Sequence, residues 1–547
     1  MLELKNINIA LSLNDRVLVE NFNFALNPGD KAVIIGEEGN GKSTLLKLIY
    51  DESYVAAYCQ HSGQVVKKGT LAYLPQMFPE DGLDATVAEY FAEDVGSGLY
   101  HDDADVLAQW QENLHMQTTV AENAQILARL GLSFDFVSSS QPIRTLSGGE
   151  KIKIQLAKIL FSQPDVLLLD EPTNDIDLET LEWLEIFIAN CPQPIIFISH
   201  DETLIENTAN VIIHMEQLRR KTRSRITVAR SGYTDYVKAR NSAFAKQAQV
   251  AKKQRADHKA QMERWRQIHD RVDHESSNIA KADRDSIGRM LKKKMKSVKS
   301  TGKRLEKEAG DFLDIPDTEA AILTQFDPEI AIPQWKVVLS LELPGLWVTS
   351  KMDDDTLLSH SGCDITKRKL CDAITLNING PQHIGIVGRN GMGKSTLLKK
   401  IWETLQVKKD IIAAYMPQDY AEVLDYNQAV IDFLAADGHK STITKVRTYL
   451  GSMKFTADEM LGRVGKLSGG QKAKVLFLDM VLKKANVLVL DEPTRNFSPL
   501  SAPEIRRTLK QFGGAIISVS HDRKYLGEVC NRVYELTKEG LGLQTER

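Results

Sequence analysis

The sequence predicts an α/β chain of two similar domains joined by a long, basic helical hairpin. Three observations predict it. One ordered set of short motifs occurs twice, each copy opens where an apolar strand meets a glycine-rich loop and a helix, and the composition shifts sharply between the copies. At 547 residues the chain is also too long for a single core.

The first series runs Gly36-Glu37-Glu38-Gly39-Asn40-Gly41-Lys42-Ser43, Tyr73-Leu74-Pro75-Gln76, Leu146-Ser147-Gly148-Gly149-Glu150, Asp170-Glu171 and Ser199-His200-Asp201. The second runs Gly388-Arg389-Asn390-Gly391-Met392-Gly393-Lys394-Ser395, Tyr415-Met416-Pro417-Gln418, Leu467-Ser468-Gly469-Gly470-Gln471, Asp491-Glu492 and Ser520-His521-Asp522. Ser468, Asp491 and His521 each stand 321 residues after Ser147, Asp170 and His200, whereas the glycine loops stand 352 apart. The first copy therefore carries 31 extra residues between its loop and its Ser-Gly-Gly stretch, placed around 93–123.

Lys31–Ile35 and His383–Val387 read as buried strands entering the glycine loops, and helices open at Thr44 and Thr396. Val166–Leu169 and Val487–Leu490 read as short buried strands ending in a carboxylate pair. Strands alternating with helices imply a parallel sheet with ligands at its C-terminal edge. The expected domains are 1–232, a linker at 233–332, and 333–547.

A polyphosphate must reach backbone amides that no side chain blocks. Gly36, Gly41, Gly388 and Gly393 let the loop wrap it, and the helix N-terminus behind adds favourable electrostatics. Gly39, Asn40, Thr44, Asn390, Gly391 and Thr396 complete the expected ATP-binding loops. Lys42 and Lys394 are expected at the β- and γ-phosphates, and Ser43 and Ser395 at Mg2+. Asp170 and Asp491 end strands where a carboxylate can hold that metal, and Glu171 and Glu492 come next to orient or deprotonate the attacking water. Gln76 and Gln418 are expected to sense Mg2+ and water, and His200 and His521 to contact the γ-phosphate.

Alone, Ser-Gly-Gly is a loop. Following a phosphate loop and lying 23 residues before an Asp-Glu pair, it resembles the signature of ATP-binding cassette ATPases. The resemblance implies that the signature Ser and second Gly of one cassette close over ATP held by the other. One composite site would join Lys42, Glu171 and His200 to Ser468 and Gly470, and the other Lys394, Glu492 and His521 to Ser147 and Gly149. Two departures stand out. The adenine-stacking aromatic of the family falls at Leu13 and Ile365, and Asn174-Asp175-Ile176-Asp177 after the first carboxylate pair is replaced by Arg495-Asn496-Phe497-Ser498 after the second. The first of these loops is expected to serve the site on Lys394, and the second, without a carboxylate at Ser498, the site on Lys42.

From Lys238 to Gly310 the chain holds 21 Lys plus Arg against 9 Asp plus Glu, in an overall balance of −4. Helices are expected over Thr234–Val272 and Asp285–Ala309, with Lys292, Lys293, Lys294 and Lys296 concentrating charge on the second. Met cold, such a run is a solvated spacer. With two cassettes in one chain and the stretch Gly232-Tyr233-Thr234-Asp235-Tyr236, it resembles the ABC-F family of translation ATPases. That resemblance implies a ribosome-bound monomer whose cassettes form an intramolecular sandwich. Its linker would enter the exit-tRNA site, meet large-subunit rRNA and tRNA through those lysines, and point toward the peptidyl-transferase centre. Translation control and displacement of ribosome-targeting antibiotics stay open.

The main alternative is the ATPase subunit of a membrane transporter, which has no use for a basic linker. A repair ATPase would bring zinc fingers, yet the five cysteines are scattered and never spaced CxxC. No apolar run nears the roughly 18 residues of a membrane helix, and the start Met1-Leu2-Glu3-Leu4-Lys5 is unlike a signal peptide. A cytoplasmic protein that does not enter membranes is expected.

Overall fold

Strands that are apolar on both faces must be covered on both, and that requirement organises each copy. The computed structural model describes residues 2–13, 15–92, 119–218, 223–277, 287–310, 326–350 and 366–546. In the first copy Lys31–Gly36 is buried along its whole length. It lies between Ile195–Ile198 and Val211–Leu218, parallel to both. From edge to edge the sheet runs Leu71–Leu74, Val166–Asp170, Ile195–Ile198, Lys31–Gly36, Val211–Leu218, Arg223–Ala229, with only the last strand antiparallel among the described residues.

The second copy repeats this order with Ala413–Met416, Val487–Asp491, Ala515–Val519, His383–Val387, Arg532–Thr537 and Gly540–Glu546. The glycine loop, the carboxylate pair and the histidine of each copy therefore leave three adjacent parallel strands at one edge. A smaller antiparallel sheet of Leu2–Leu11, Val17–Leu26 and Cys59–Lys67 folds over the helix that follows the first glycine loop. Leu4, Ile9 and Phe24 pack there in one core with Leu45, Leu46 and Ile196. Each fully buried aliphatic side chain contributes about 1.5–3 kcal/mol.

The two copies form one compact unit, Met1–Tyr233 with Ala320–Arg547. Ion pairs join them, with the cations on the second copy and the anions on the first. Arg506 pairs with Glu202 at 2.7 Å, and Lys524 with Glu202 at 3.1 Å and Glu206 at 2.7 Å. Arg506 is only 3% exposed. Its guanidinium also pairs with Glu528 at 2.9 Å, and Glu202 keeps Lys524, so the two charges sit in a shared network.

Residues 326–332, which the sequence reading assigned to the linker, pack on the second copy instead. The Phe326 ring lies 4.7 Å from that of Phe512, and the Ile332 N–H donates to the Gly513 carbonyl at 3.3 Å.

Thr234–Glu319 forms a unit of its own. Its helices span Tyr233–Ser277 and Ile287–Gly310, within a few residues of expectation except for the longer end of the first. The two helices pack against each other. The Trp265 indole lies against Gly302, where an added Cβ would stand 2.7 Å from the ring, and donates to the Val298 carbonyl at 2.7 Å. Val272, Leu291 and Leu305 are buried. Lys292, Lys293, Lys294 and Lys296 are exposed. Of the expected insertion, 93–118 lies outside the described residues, and Thr119–Leu130 is helical. No described helix is long and apolar enough to cross a membrane.

Candidate functional site

A glycine loop can turn into a helix only if its last residue accepts a left-handed backbone. Gly41 and Gly393 do so at φ 89° and 90°, opening the helices Lys42–Tyr50 and Lys394–Gln406. Lys42 Nζ donates to the Gly36 carbonyl at 2.9 Å, and Lys394 Nζ to that of Gly388 at 2.6 Å, so both amines fold back over their own loops. Burial lowers both lysines' pKa, against the pull of Glu171 on Lys42 and of Glu492 on Lys394.

Asp170 and Asp491 are the last residues of their strands, and Glu171 and Glu492 follow at φ 48° and 50°. A glutamate pays strain for that conformation. Both copies hold it by a backbone bond to the neighbouring strand, Glu171 N–H to Ile198 and Glu492 N–H to Val519.

The first site is a cavity of about 500 Å³ lined by Gly39, Lys42, Ser43, Thr44, Gln76, Glu171 and His200, with Arg495 and Asn496 from the second copy. Gln76 Nε2 donates to Glu171 Oε2 at 2.9 Å and Asn174 Nδ2 at 2.8 Å, while His200 Nε2 lies 3.3 Å from Oε1. Burial pushes the Glu171 carboxyl up, but the His200, Lys42 and Asn174 contacts outweigh it and hold it at about 2. His200 Nδ1 reaches the Phe497 carbonyl of the second copy at 2.8 Å.

The second site opens on a cavity of about 990 Å³ that takes in both Lys394 and the opposite signature, Ser147 and Gly148. Asn390, Gly391, Gly393, Ser395, Thr396 and Gln418 line it, as do Asp491, Glu492 and His521. Glu492 Oε1 has no hydrogen-bond partner. Burial, with the Asp491 charge next, pushes its carboxyl up to about 8. Burial likewise lowers His521 to about 4, with Lys394 acting in the same direction.

The loops after the carboxylate pairs do cross between copies. Asn390 Nδ2 donates to the Asp175 carbonyl at 2.7 Å, and the Asp177 charge acts on both Lys394 and His521. Ser498 turns inward: it is buried and bonds Ser501 Oγ at 2.9 Å within its own copy. Asn496 reaches Tyr420 Oη at 2.7 Å, also in its own copy.

Each signature serine caps its own helix. Ser147 donates to Glu150 at 2.8 Å, and Ser468 accepts from the Gln471 N–H at 3.3 Å. Gly149 and Gly470 are close-approach positions, where a Cβ would stand 2.5 Å from Thr180 Oγ1 and 2.7 Å from the Asn496 carbonyl.

The acidic and hydroxyl groups suit a hard cation held jointly with phosphate oxygens. Ser43 Oγ lies 2.9 Å from Asp170, and Ser395 hydrogen-bonds Asp491, whose Oδ2 is buried without a partner. The described residues hold no group of three or more His, Cys, Asp or Glu side chains fit to bind a metal unaided.

Asn40 spends its side-chain amide on the Met215 carbonyl at 3.0 Å, so it braces the sheet. Leu13 is 97% exposed, and Leu11, Arg16 and Leu18 line the first cavity instead. Ile365 lies outside the described residues. Arg368, 352 residues after Arg16, lines the second cavity. Sequence reasoning missed these arginines, and also Glu37 and Glu38, although the 352-residue offset between the copies would have aligned them.

A family model described as "ABC transporter" matches residues 19–174 and 371–495. The chain is 26% identical to the putative ATP-binding protein YdiF of Bacillus subtilis, over 98% of this chain and 80% of that one. It is 27% identical to human ATP-binding cassette sub-family F member 3, over 96% and 70%. With the probable ATP-binding protein YheS of Escherichia coli it shares 27% identity, over 95% and 76%. Among solved structures it resembles the archaeal ribosome recycling factor aABCE1 in complex with stalk protein aP1, at TM-score 0.53 and 14% identity over 98% and 89% of the two chains.

Proposed function

The chain belongs to the ATP-binding cassette family, as a tandem-cassette ATPase of the ABC-F type, and from that premise we propose that it turns ATP hydrolysis into work on the ribosome. The observation that carries this reading is the linker: a packed helical hairpin with net charge +12 and four exposed lysines on its second helix, between cassettes whose chain balance is negative. Such a surface matches the phosphates of large-subunit rRNA and tRNA. In this reading the protein is cytoplasmic and monomeric. The hairpin enters near the exit-tRNA site and reaches toward the peptidyl-transferase centre, to regulate translation or displace bound antibiotics.

ATP occupies two composite sites. Lys42 and Lys394 turn from their own loop carbonyls to the β- and γ-phosphates, and the opposite signatures, Ser468 with Gly470 and Ser147 with Gly149, close over the nucleotide. Ser43 and Asp170, or Ser395 and Asp491, with Gln76 or Gln418 beside them, would hold a Mg2+ ion, which would supply charge neutralisation at the transferring phosphoryl group. Glu171 and Glu492 place the attacking water and accept its proton, and His200 and His521 steady the γ-phosphate.

The test is sedimentation of the Glu171→Gln/Glu492→Gln chain with purified ribosomes or with membranes, in ATP. Pelleting with ribosomes is expected, and it should weaken and lose salt dependence when Lys292, Lys293, Lys294 and Lys296 are changed to Glu. Pelleting with membranes alone would assign the chain to a transporter.

A further inference from the structure

We propose that Glu38 is a built-in competitor for the γ-phosphate at the first composite site, so that ATP enters there only by displacing a carboxylate that the second site lacks. The proposal rests on the composite-site reading above. Glu38 Oε2 accepts the Gly470 N–H at 2.5 Å. Gly470 lies in the first turn of the 14-residue helix Gly469–Leu482, where backbone donors have no partner within the helix and the positive end of the helix draws anions. The Ser468–Gln471 capping box already occupies the N–H groups of those two residues. Glu38 thus takes one of the donors that remain.

A second contact fixes the arrangement. Glu37 Oε1 lies 3.6 Å from Lys474 Nζ, one helical turn beyond Gly470, and the Lys474 side chain is only 8% exposed. Two consecutive acids of one cassette therefore grip one face of the other's signature helix. The same positions in the second loop are Arg389 and Asn390, and they go elsewhere. Arg389 pairs with Glu179 at 2.9 Å, and Asn390 donates to the Asp175 carbonyl.

Glu38 also lines the cavity that holds Lys42 and Ser43. A γ-phosphate lying between Lys42 and the signature needs the N–H that Glu38 occupies. One N–H cannot serve two anions at full strength, and the anions repel at that range. ADP, with no γ-phosphate, leaves the contact in place. The first site therefore binds ATP more weakly than its donors allow and discriminates less between ATP and ADP.

The experiment uses the full chain with Glu171→Gln to stop hydrolysis at the first site and Lys394→Ala to confine nucleotide to it, titrated calorimetrically with MgATP and MgADP. Glu38→Asn, the residue of the second loop, is expected to tighten ATP about tenfold and ADP less than about twofold. Unchanged ATP affinity, or equal tightening of both nucleotides as a general charge effect, would overturn the proposal. Should Lys394→Ala not fold, the weaker of two ATP-binding steps in the Glu171→Gln/Glu492→Gln chain is expected to show the same tightening, and no change there overturns the proposal equally. Ser468→Arg separates the two levels. If it leaves ATP binding at Lys42 intact, the composite-site reading fails and this proposal with it. If it weakens ATP while Glu38→Asn changes nothing, only the role of Glu38 fails.

Discussion

The two nucleotide sites share a fold and a motif series, yet their carboxylates stand in opposite electrostatic conditions. Glu171 is held by Gln76, Asn174 and His200 and is ionised down to about pH 2. Glu492, whose Oε1 accepts no hydrogen bond and has His521 Nε2 no nearer than 3.8 Å, is pushed up to about 8. The Asp-Glu pair is identical in sequence, so the difference lies in what surrounds it. The first site is closed by side chains already bonded to one another, whereas the second opens on a cavity about twice as large that takes in the opposite signature. Identical motifs therefore do not make equivalent sites.

The largest expected effect breaks the comparison through stability, in metal- and nucleotide-free protein. An acid held below its ordinary value of 4.5 lends stability above that pH, and loses it as pH falls toward 2. Glu171→Gln should therefore destabilise the chain at neutral and alkaline pH. An acid raised above 4.5 keeps its proton in the fold, so its ionisation costs stability that accrues as pH rises from 4.5 to 8. Glu492→Gln should therefore stabilise the chain, more at pH 8.5 than at pH 5. The effect is expected at about 3 kcal/mol for Glu171 and about 5 kcal/mol for Glu492 when fully developed. Thermal melts of both variants at the two pH values check it, and shifts of the same sign would remove the contrast.

A smaller effect sharpens the comparison through the crossing loops. Asp177 caps its helix through the Thr180 N–H at 3.0 Å and acts on Lys394 and His521, while Ser498 bonds only within its own cassette. Asp177→Ala should slow turnover at the second site about tenfold, equivalent to roughly 1.4 kcal/mol of transition-state stabilisation. Ser498→Ala should change turnover at the first site less than about twofold. Each is measured as ATPase rate with the other site silenced.

Much of this was legible in the sequence. The strands Lys31–Gly36 and His383–Val387 announce themselves as short apolar runs before glycine loops, because a strand buried on both faces has no polar positions to blur it. The register of 321 residues also placed both carboxylate pairs and both histidines correctly on strand ends. Contacts between cassettes were far less legible. The grip of Glu38 on Gly470 joins residues 432 apart, and nothing local marks a loop glutamate as facing another domain. The packing of Trp265 on Gly302 escaped notice because one aromatic against one glycine leaves no apolar period in a charged helix.

The claim that the sites are chemically unequal meets its most direct test in single-mutant turnover at saturating ATP and pH 8.5. With Asp177 serving the second site and Ser498 turned away from the first, Glu492→Gln alone is expected to remove more steady-state ATPase activity than Glu171→Gln alone. Equal losses, or the larger loss from Glu171→Gln, would contradict the account.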